Sequence, residues 1–275
     1  MNEPLIDIGV NLTSKQFRAD LPHVIERALG AGVRYMIVTG LTAPLSQAAL
    51  ELARAHPKVL CSTAGVHPHN ARGFDRHTLA QLRNLASLPE VVAVGECGLD
   101  YNRDFSPRPE QRAAFDAQLE LAIELKKPVF LHQRSAHSDF FSALRNARPK
   151  LTGGVVHCFT GNAEDLDCYL ELGLCIGITG FVCDERRGTH LQQLVGRIPS
   201  DRLMVETDAP FLLPRDLKSA SGRRNEPAYL PHVAASVARF AGRSEGDMRR
   251  QTTHVAFQLF GLEARFGQLE ASGAR

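Results

Sequence analysis

Eight short apolar runs, each followed by a stretch of helical periodicity, set the tightest limit on what this chain can fold into. They are LIDIGVNL (5–12), RYMIVTG (34–40), VLCSTAGV (59–66), VVAVGECG (91–98), PVFLHQR (128–134), GGVVHCFTG (153–161), LCIGITG (174–180) and LMVETDAP (203–210). Runs such as VVAV read as strands buried on both faces, which is the habit of parallel sheets. PEQRAAFDAQLELAIELKK (109–127) opens on Pro and closes on Lys, and GNAEDLDCYLEL (161–172) opens on capping residues, so both read as helices. Strand and helix alternate throughout, which predicts an α/β protein with a parallel sheet. Eight such units in 275 residues, close to the ~250 usual for a (β/α)8 barrel, favour a single-domain TIM-type barrel over an open doubly wound sheet. No G-x-G-x-x-G follows the first strand, and there is no Walker sequence or G-x-S-x-G elbow. One barrel domain over residues 1–275, with a helical C-terminal tail from about residue 228, is the expected organisation.

Charge and composition exclude several classes of function. The net charge is +2 with a pI near 8.3, without a basic tail, so an anionic partner must be met by a local patch. Residues 1–20 lack the layout of a signal peptide, and no apolar run approaches the ~20 residues that span a bilayer. The cysteines, Cys61, Cys97, Cys158, Cys168, Cys175 and Cys183, form no C-x-x-C pair and mostly sit in or beside apolar runs. These features predict a reduced, cytoplasmic, monomeric protein with no membrane association and no obligate protein partner.

In a barrel of this kind reactive groups stand at the C-terminal ends of the strands. Those ends carry His67 and His69 in GVHPH, Glu96 in GECGLD, His132 in VFLHQR, His157 in VVHCFTG and Asp208 in VETDAP. Any one of these residues has an ordinary explanation: a histidine behind an apolar run is commonly a hydrogen-bonded core residue, and Asp before Ala-Pro caps turns. Four strands ending in metal-ligand types on one rim are better explained together. Two imidazoles and two carboxylates suit a divalent cation, and a cation is what makes a buried Glu tolerable. Glu96, His132, His157 and Asp208 are therefore the expected ligands. Cys97 and Cys158, adjacent to ligands, point to the opposite face by strand alternation and are read as packing residues. Glu206 shares the face of Asp208, as a partner to a ligand or as an ion-pair residue deeper in the barrel.

The blocks GVHPH, GECGLD, HCFTG, ETDAPFLLPRD and RRNEPAYL resemble, in order, those of the TatD family of metal-dependent deoxyribonucleases, within the amidohydrolase-like barrels. The resemblance runs from about residue 5 to 260. It implies a Mg²⁺-dependent 3′–5′ exonuclease that prefers single-stranded DNA, also attacks RNA, and serves DNA repair or nucleic-acid turnover. Most members open with D-x-H-x-H, whereas this chain reads Asp7, Ile8, Gly9, Val10, Asn11. Loss of two imidazoles leaves an oxygen-rich site, which predicts Mg²⁺, with Mn²⁺ as a substitute, over Zn²⁺.

Hydrolysis of a phosphodiester needs an activated water, a base and positive charge for the phosphate. Asp208 is assigned to bind metal and accept the proton of water, and Glu96 to bridge toward a second, weakly held ion, so both count as catalytic. Arg134, two residues after His132, and Arg224, in the RRNEP block with Asn225, are the expected phosphate contacts, with His67 as a contact or proton donor. Arg186 and Arg187 are balanced between that role and solubility. Two rivals stand beside this reading. One is an amidohydrolase or esterase using the same mouth, on a small or tRNA-linked substrate. The other is an inactive, metal-poor binding protein.

Overall fold

A computed structural model of the protein describes residues 3–218 and 222–267. Eight parallel strands form one sheet in the order of the chain: β1 (Leu5–Val10), β2 (Val33–Val38), β3 (Leu60–Ala64), β4 (Val91–Asp100), β5 (Val129–Arg134), β6 (Gly154–Val156), β7 (Cys175–Ile178) and β8 (Leu203–Val205). Between them run α1 (Leu21–Gly30), α2 (Ala43–Ala55), α3 (Arg76–Ala86), α4 (Arg108–Leu125), α5 (His137–Ala147), α6 (Ala163–Glu171) and α7 (Thr189–Leu194). After β8 come α8 (Leu230–Ala241), α9 (Glu245–Phe260) and α10 (Glu263–Phe266). The last eight residues of the chain, within the expected tail, lie outside the described residues. The architecture is the (β/α)8 barrel read from the alternation of elements. The two helices singled out from sequence start and stop for local reasons: Asn162 accepts the Asp165 N–H to open α6, and Lys126 closes α4 in the left-handed conformation.

The first and last strands meet through the residues beside them. The Asp208 N–H donates to Gly9 O (2.9 Å) and the Asn11 N–H to Ala209 O (2.8 Å). Asp7 adds a side-chain clasp, its Oδ1 accepting the Thr207 N–H at 3.0 Å. Burial pushes the Asp7 carboxyl up to about 7, against the hydrogen bonds from Thr207. The acid that begins the first-strand block therefore works at the seam.

The core has two layers. Outward-facing strand residues such as Val94, Cys97, Leu99 and Leu131 pack against the helices. Inward-facing residues, among them Ile6, Ile8, Ile37, Phe130, Val155 and Met204, fill the barrel and meet Val255, Ala256, Phe257 and Phe260 of α9. Helix α9 thus plugs the barrel interior at one end, leaving the polar groups at the C-terminal ends of the strands.

One irregularity matters for function. In the β4–β5 ladder Gly95 pairs with Phe130 but Cys97 pairs with Leu131, so Glu96 is an extra residue. Val94 faces outward, and strict alternation would send Glu96 the same way. The bulge turns it inward and leaves Cys97 and Leu99 outside. Gly98, at φ 145°, allows the close approach of the two strands, since a Cβ there would lie 1.9 Å from His132 O.

The plug gives a direct test of the two-layer core. Phe257 is 2% exposed and sits edge-on to Tyr35 at 5.1 Å. Phe257→Ala is expected to lower unfolding free energy in urea by about 3–5 kcal/mol; a loss below about 1 kcal/mol would show that α9 packs only superficially.

Candidate metal centre

Three imidazoles converge on one carboxylate oxygen. Glu96 Oε1 lies 2.9 Å from His132 Nδ1, 3.2 Å from His157 Nε2 and 3.3 Å from His67 Nε2. Their positions follow from the fold. The bulge aims Glu96, His132 lies in β5, His157 directly follows β6, and His67 follows β3 and accepts the His69 N–H to open a short turn. Burial works to raise the Glu96 carboxyl, but the imidazoles overcome it and hold it well below the usual carboxylate range. Burial likewise opposes charge on His132 and His157, and the neighbouring carboxylates raise both above the ordinary histidine value. Burial brings His67 down to about 4, with Glu96 acting against it.

A second ring of groups holds the first. Glu206, fully buried, sets Oε2 at 2.8 Å from His157 Nδ1 and accepts the Cys158 N–H at Oε1 (2.6 Å). His157 thereby keeps Nε2 for the centre. Asp208 follows β8 in the left-handed conformation, at φ 55°, and its Oδ1 accepts from Asn11 Nδ2 at 2.9 Å. Burial pushes its carboxyl up to about 7. Asp100, at the end of β4, meets His69 Nε2 at 2.6 Å, and its Oδ1 accepts the N–H groups of Asn102 and Arg103. Sequence reasoning missed Asp100, although it follows Glu96 by four positions and so shares its side of the strand.

These residues fit a divalent cation. Glu96, Asp100 and Glu206 are buried and Asp208 partly so; imidazoles stand at contact distance from the first three, and Asp208 takes its hydrogen bond from Asn11. His132 Nε2 has no hydrogen-bond partner among the described residues, with Asp100 Oδ2 standing 3.4 Å away. Carboxylates with a free imidazole nitrogen between them form a donor set deficient in positive charge. Position 9 of the first strand has no room for a side chain as Glu206 now stands. A Cβ on Gly9 would lie 2.4 Å from Glu206 Oε2 and 3.0 Å from Phe130 Cζ.

The other expected contacts divide. Arg134 donates to Thr160 Oγ1 at 2.7 Å, and it shares the Phe181 ring with Arg187, the two guanidinium carbons lying 6.0 and 5.3 Å from the ring centre. Arg187 also pairs with Asp184 at 3.0 Å, and Arg186 stands 3.6 Å from the same residue. Arg224 has partners within the protein. Its guanidinium grips both oxygens of Asp20 at 2.8 Å, reaches Glu226 at 2.6 Å and covers Phe17, so its fork is occupied within the protein. Asn225 has partners within the protein too. It is fully buried and donates to Thr207 O and Phe211 O, at 2.9 and 2.7 Å, while its Oδ1 accepts the Glu226 N–H. It fixes the segment around Asp208 and offers no amide proton to a phosphate.

Comparisons with known proteins agree with this geometry. The family described as TatD related DNase matches residues 6–261. The "3'-5' ssDNA/RNA exonuclease TatD" of Erwinia tasmaniensis is 54% identical over 259 residues, covering 94% of this chain and 100% of that protein. The protein of the same name from a Rahnella species is 52% identical over 262 residues, covering 95% and 100%. Among solved structures, YJJV, a TatD homolog from Escherichia coli, superimposes with a TM-score of 0.86 at 28% identity over 94% of this chain and 98% of that one. A TatD family hydrolase from Entamoeba histolytica does so at 0.86 and 26%, over 94% and 99%. From its barrel, its strand-end blocks and these likenesses, the chain belongs to the TatD-related DNase family.

Proposed function

We propose that the protein is a divalent-cation-dependent nuclease that removes nucleotides from the 3′ ends of single-stranded DNA and RNA. The observation that carries this reading is the convergence of His67, His132 and His157 on Glu96 Oε1 at the mouth of the barrel. The names borne by relatives at 52–54% identity support the choice of substrate.

Glu96, His132, His157 and Asp208 would hold the cation. When bound, it supplies Lewis acidity to the phosphate and to water. The chain's own groups do the rest. Asp208, held by Asn11, accepts the proton of the attacking water. His67 stands at the phosphate side as a contact, or as the donor to the leaving oxygen. Arg134 offers a planar fork to the phosphate, backed by Arg187 across Phe181. Glu206 keeps His157 in one tautomer. The mixed oxygen and imidazole set, without a first-strand histidine pair, favours Mg²⁺ or Mn²⁺ over Zn²⁺.

The same charges separate the rivals. An amidohydrolase or esterase needs a polarised carbonyl and has little use for Arg134 and Arg187, and an inactive binding protein has no use for the full donor set. No helix among the described residues is long and apolar enough to cross a membrane. Its cysteines are free thiols, in keeping with a reducing cytoplasm. A single chain supplies the whole mouth, in keeping with a monomer working in nucleic-acid turnover or DNA repair.

The primary test follows a single-stranded oligonucleotide labelled at its 5′ end, so that trimming from the 3′ end appears as a ladder. Mg²⁺ should support trimming, and EDTA should stop it. Glu96→Gln should cut the rate on the order of 10²–10⁴-fold while the protein stays folded. An intact oligonucleotide with Mg²⁺ present, or full activity in Glu96→Gln, would overturn the reading.

Single-strand preference has its own handle. Phe105 is 60% exposed and Phe211 50%, and they are the exposed large apolar side chains among the described residues. Phe105 packs against His69 at 4.8 Å, and the Phe211 N–H donates to Asp208 O at 3.0 Å, so both border the site. Each can stack on an unpaired base. Phe105→Ala and Phe211→Ala, in the Glu96→Gln background, should each weaken binding to single strands by about 1–3 kcal/mol by fluorescence anisotropy. Duplex binding should hardly change, and equal losses on both substrates would rule out base stacking.

A further inference from the structure

A separate cluster lies outside the Glu96 centre. Cys183 ends the turn that follows β7, Asp216 lies in the segment after β8, and His232 stands in the first turn of α8. Their ligand atoms, one sulfur, one oxygen and one nitrogen, all lie within 4.8 Å of one another. His232 Nε2 is 2.7 Å from Asp216 Oδ1. Cys183 is buried, whereas the Asp216 and His232 side chains are 39% and 30% exposed. The thiol is thus kept from bulk oxidants while the other two groups admit an ion and a water.

We propose that Cys183, Asp216 and His232 form a second cation site, of the class that takes Zn²⁺, which staples the segments following β7 and β8 to α8. The donor set carries the argument. A thiolate, an imidazole and a carboxylate select Zn²⁺ over Mg²⁺, the reverse of what the nitrogen and oxygen donors around Glu96 favour. Tetrahedral bonds of about 2.0–2.3 Å set ligand atoms roughly 3.5 Å apart. The Asp216–His232 pair needs to open by less than ~1 Å, and no other pair needs to close by more than ~1.5 Å. Thiolate and carboxylate together neutralise a divalent ion, with water as the fourth ligand. Binding releases the Cys183 proton to solvent; until then burial keeps the thiol protonated, pushing it up to about 12.

The position gives the site a purpose. Residues 184–187 begin directly after Cys183 and carry Asp184, Arg186 and Arg187, and Arg187 covers Phe181 opposite Arg134. Arg215, next to Asp216, pairs with Glu185 at 3.2 Å and approaches Asp184 at 3.7 Å. A cation here pins both segments at their bases and fixes the arginine-bearing wall of the mouth. This role does not depend on the nuclease reading.

Cobalt separates the two centres, because only a thiolate ligand gives a near-ultraviolet sulfur-to-cobalt charge-transfer band. The full chain, freed of metal and titrated with Co²⁺, should develop that band, and equimolar Zn²⁺ should abolish it. Glu96→Gln, which damages the other centre, should keep the band, whereas Cys183→Ser and His232→Ala should lose it. Zn²⁺ should raise the Tm of the wild type and of Glu96→Gln, but not of His232→Ala. No band in the folded wild type, or a band that survives Cys183→Ser, would overturn the site. Both readouts are independent of hydrolysis, so an inactive protein can still pass and an active one can still fail.

Discussion

The whole mouth of the barrel depends on keeping carboxylates charged inside an apolar wall. Taking one such ion out of water costs several kcal/mol even after relaxation. An imidazolium at about 3 Å returns roughly 5 kcal/mol at an effective dielectric near 20, so a partner at contact distance decides whether such a carboxylate stays charged. Glu96 has three imidazoles, Glu206 has His157, and Asp100 has His69. The partners come from the ends of three strands, β3, β5 and β6, so charge balance and strand order are one constraint. A cation in this setting replaces borrowed protons with a fixed charge, and it does so where the protein has already met the cost of desolvation.

The backbone is bent to serve that balance. A regular β4 would put Glu96 among the helices, where Val94 and Cys97 now pack. The extra residue reverses its direction, and Gly98 lets β5 come close enough for His132 to reach it. On the far side of the barrel, Asp208 takes a left-handed conformation in a segment that Asn225 holds by two carbonyl groups. The ion pairs of Arg224 with Asp20 and Glu226 anchor the same segment to α1, since Arg27 of that helix also grips Glu226. Arg224 and Asn225, expected from sequence at the phosphate, brace the segment that follows Asp208.

That difference shows which information a sequence carries. Strand–helix alternation is local, so all eight strands were legible, and with them the strand ends that carry Glu96, His132, His157 and Asp208. Lengths were less legible. β6 and β8 are three residues each, because the chain leaves the ladder early to present His157 and Asp208. The bulge at Glu96 was hidden, since nothing in VVAVGECG distinguishes an extra residue from regular alternation. The internal partners of Arg224 and Asn225 were not legible, because Asp20 and the Thr207 and Phe211 carbonyls lie elsewhere in the chain. An Arg beside a mouth looks free until its acid is found.

The first strand closes the argument. Gly9 and Asn11 stand where the D-x-H-x-H pattern expected from the family resemblance would put imidazoles, and each is matched to what faces it. The space beside Gly9 is taken by the Glu206 carboxylate, which needs that place to reach both His157 Nδ1 and the Cys158 N–H. Asn11 is a neutral donor, giving its amide proton to Asp208 Oδ1. A histidine at position 9 would require Glu206 to give up its bonds, and a charged group at 11 would compete with a cation for Asp208. The missing histidines are thus part of one coherent site. Glu206 and Asn11 occupy the places beside the first strand, and both are tied to residues of the mouth.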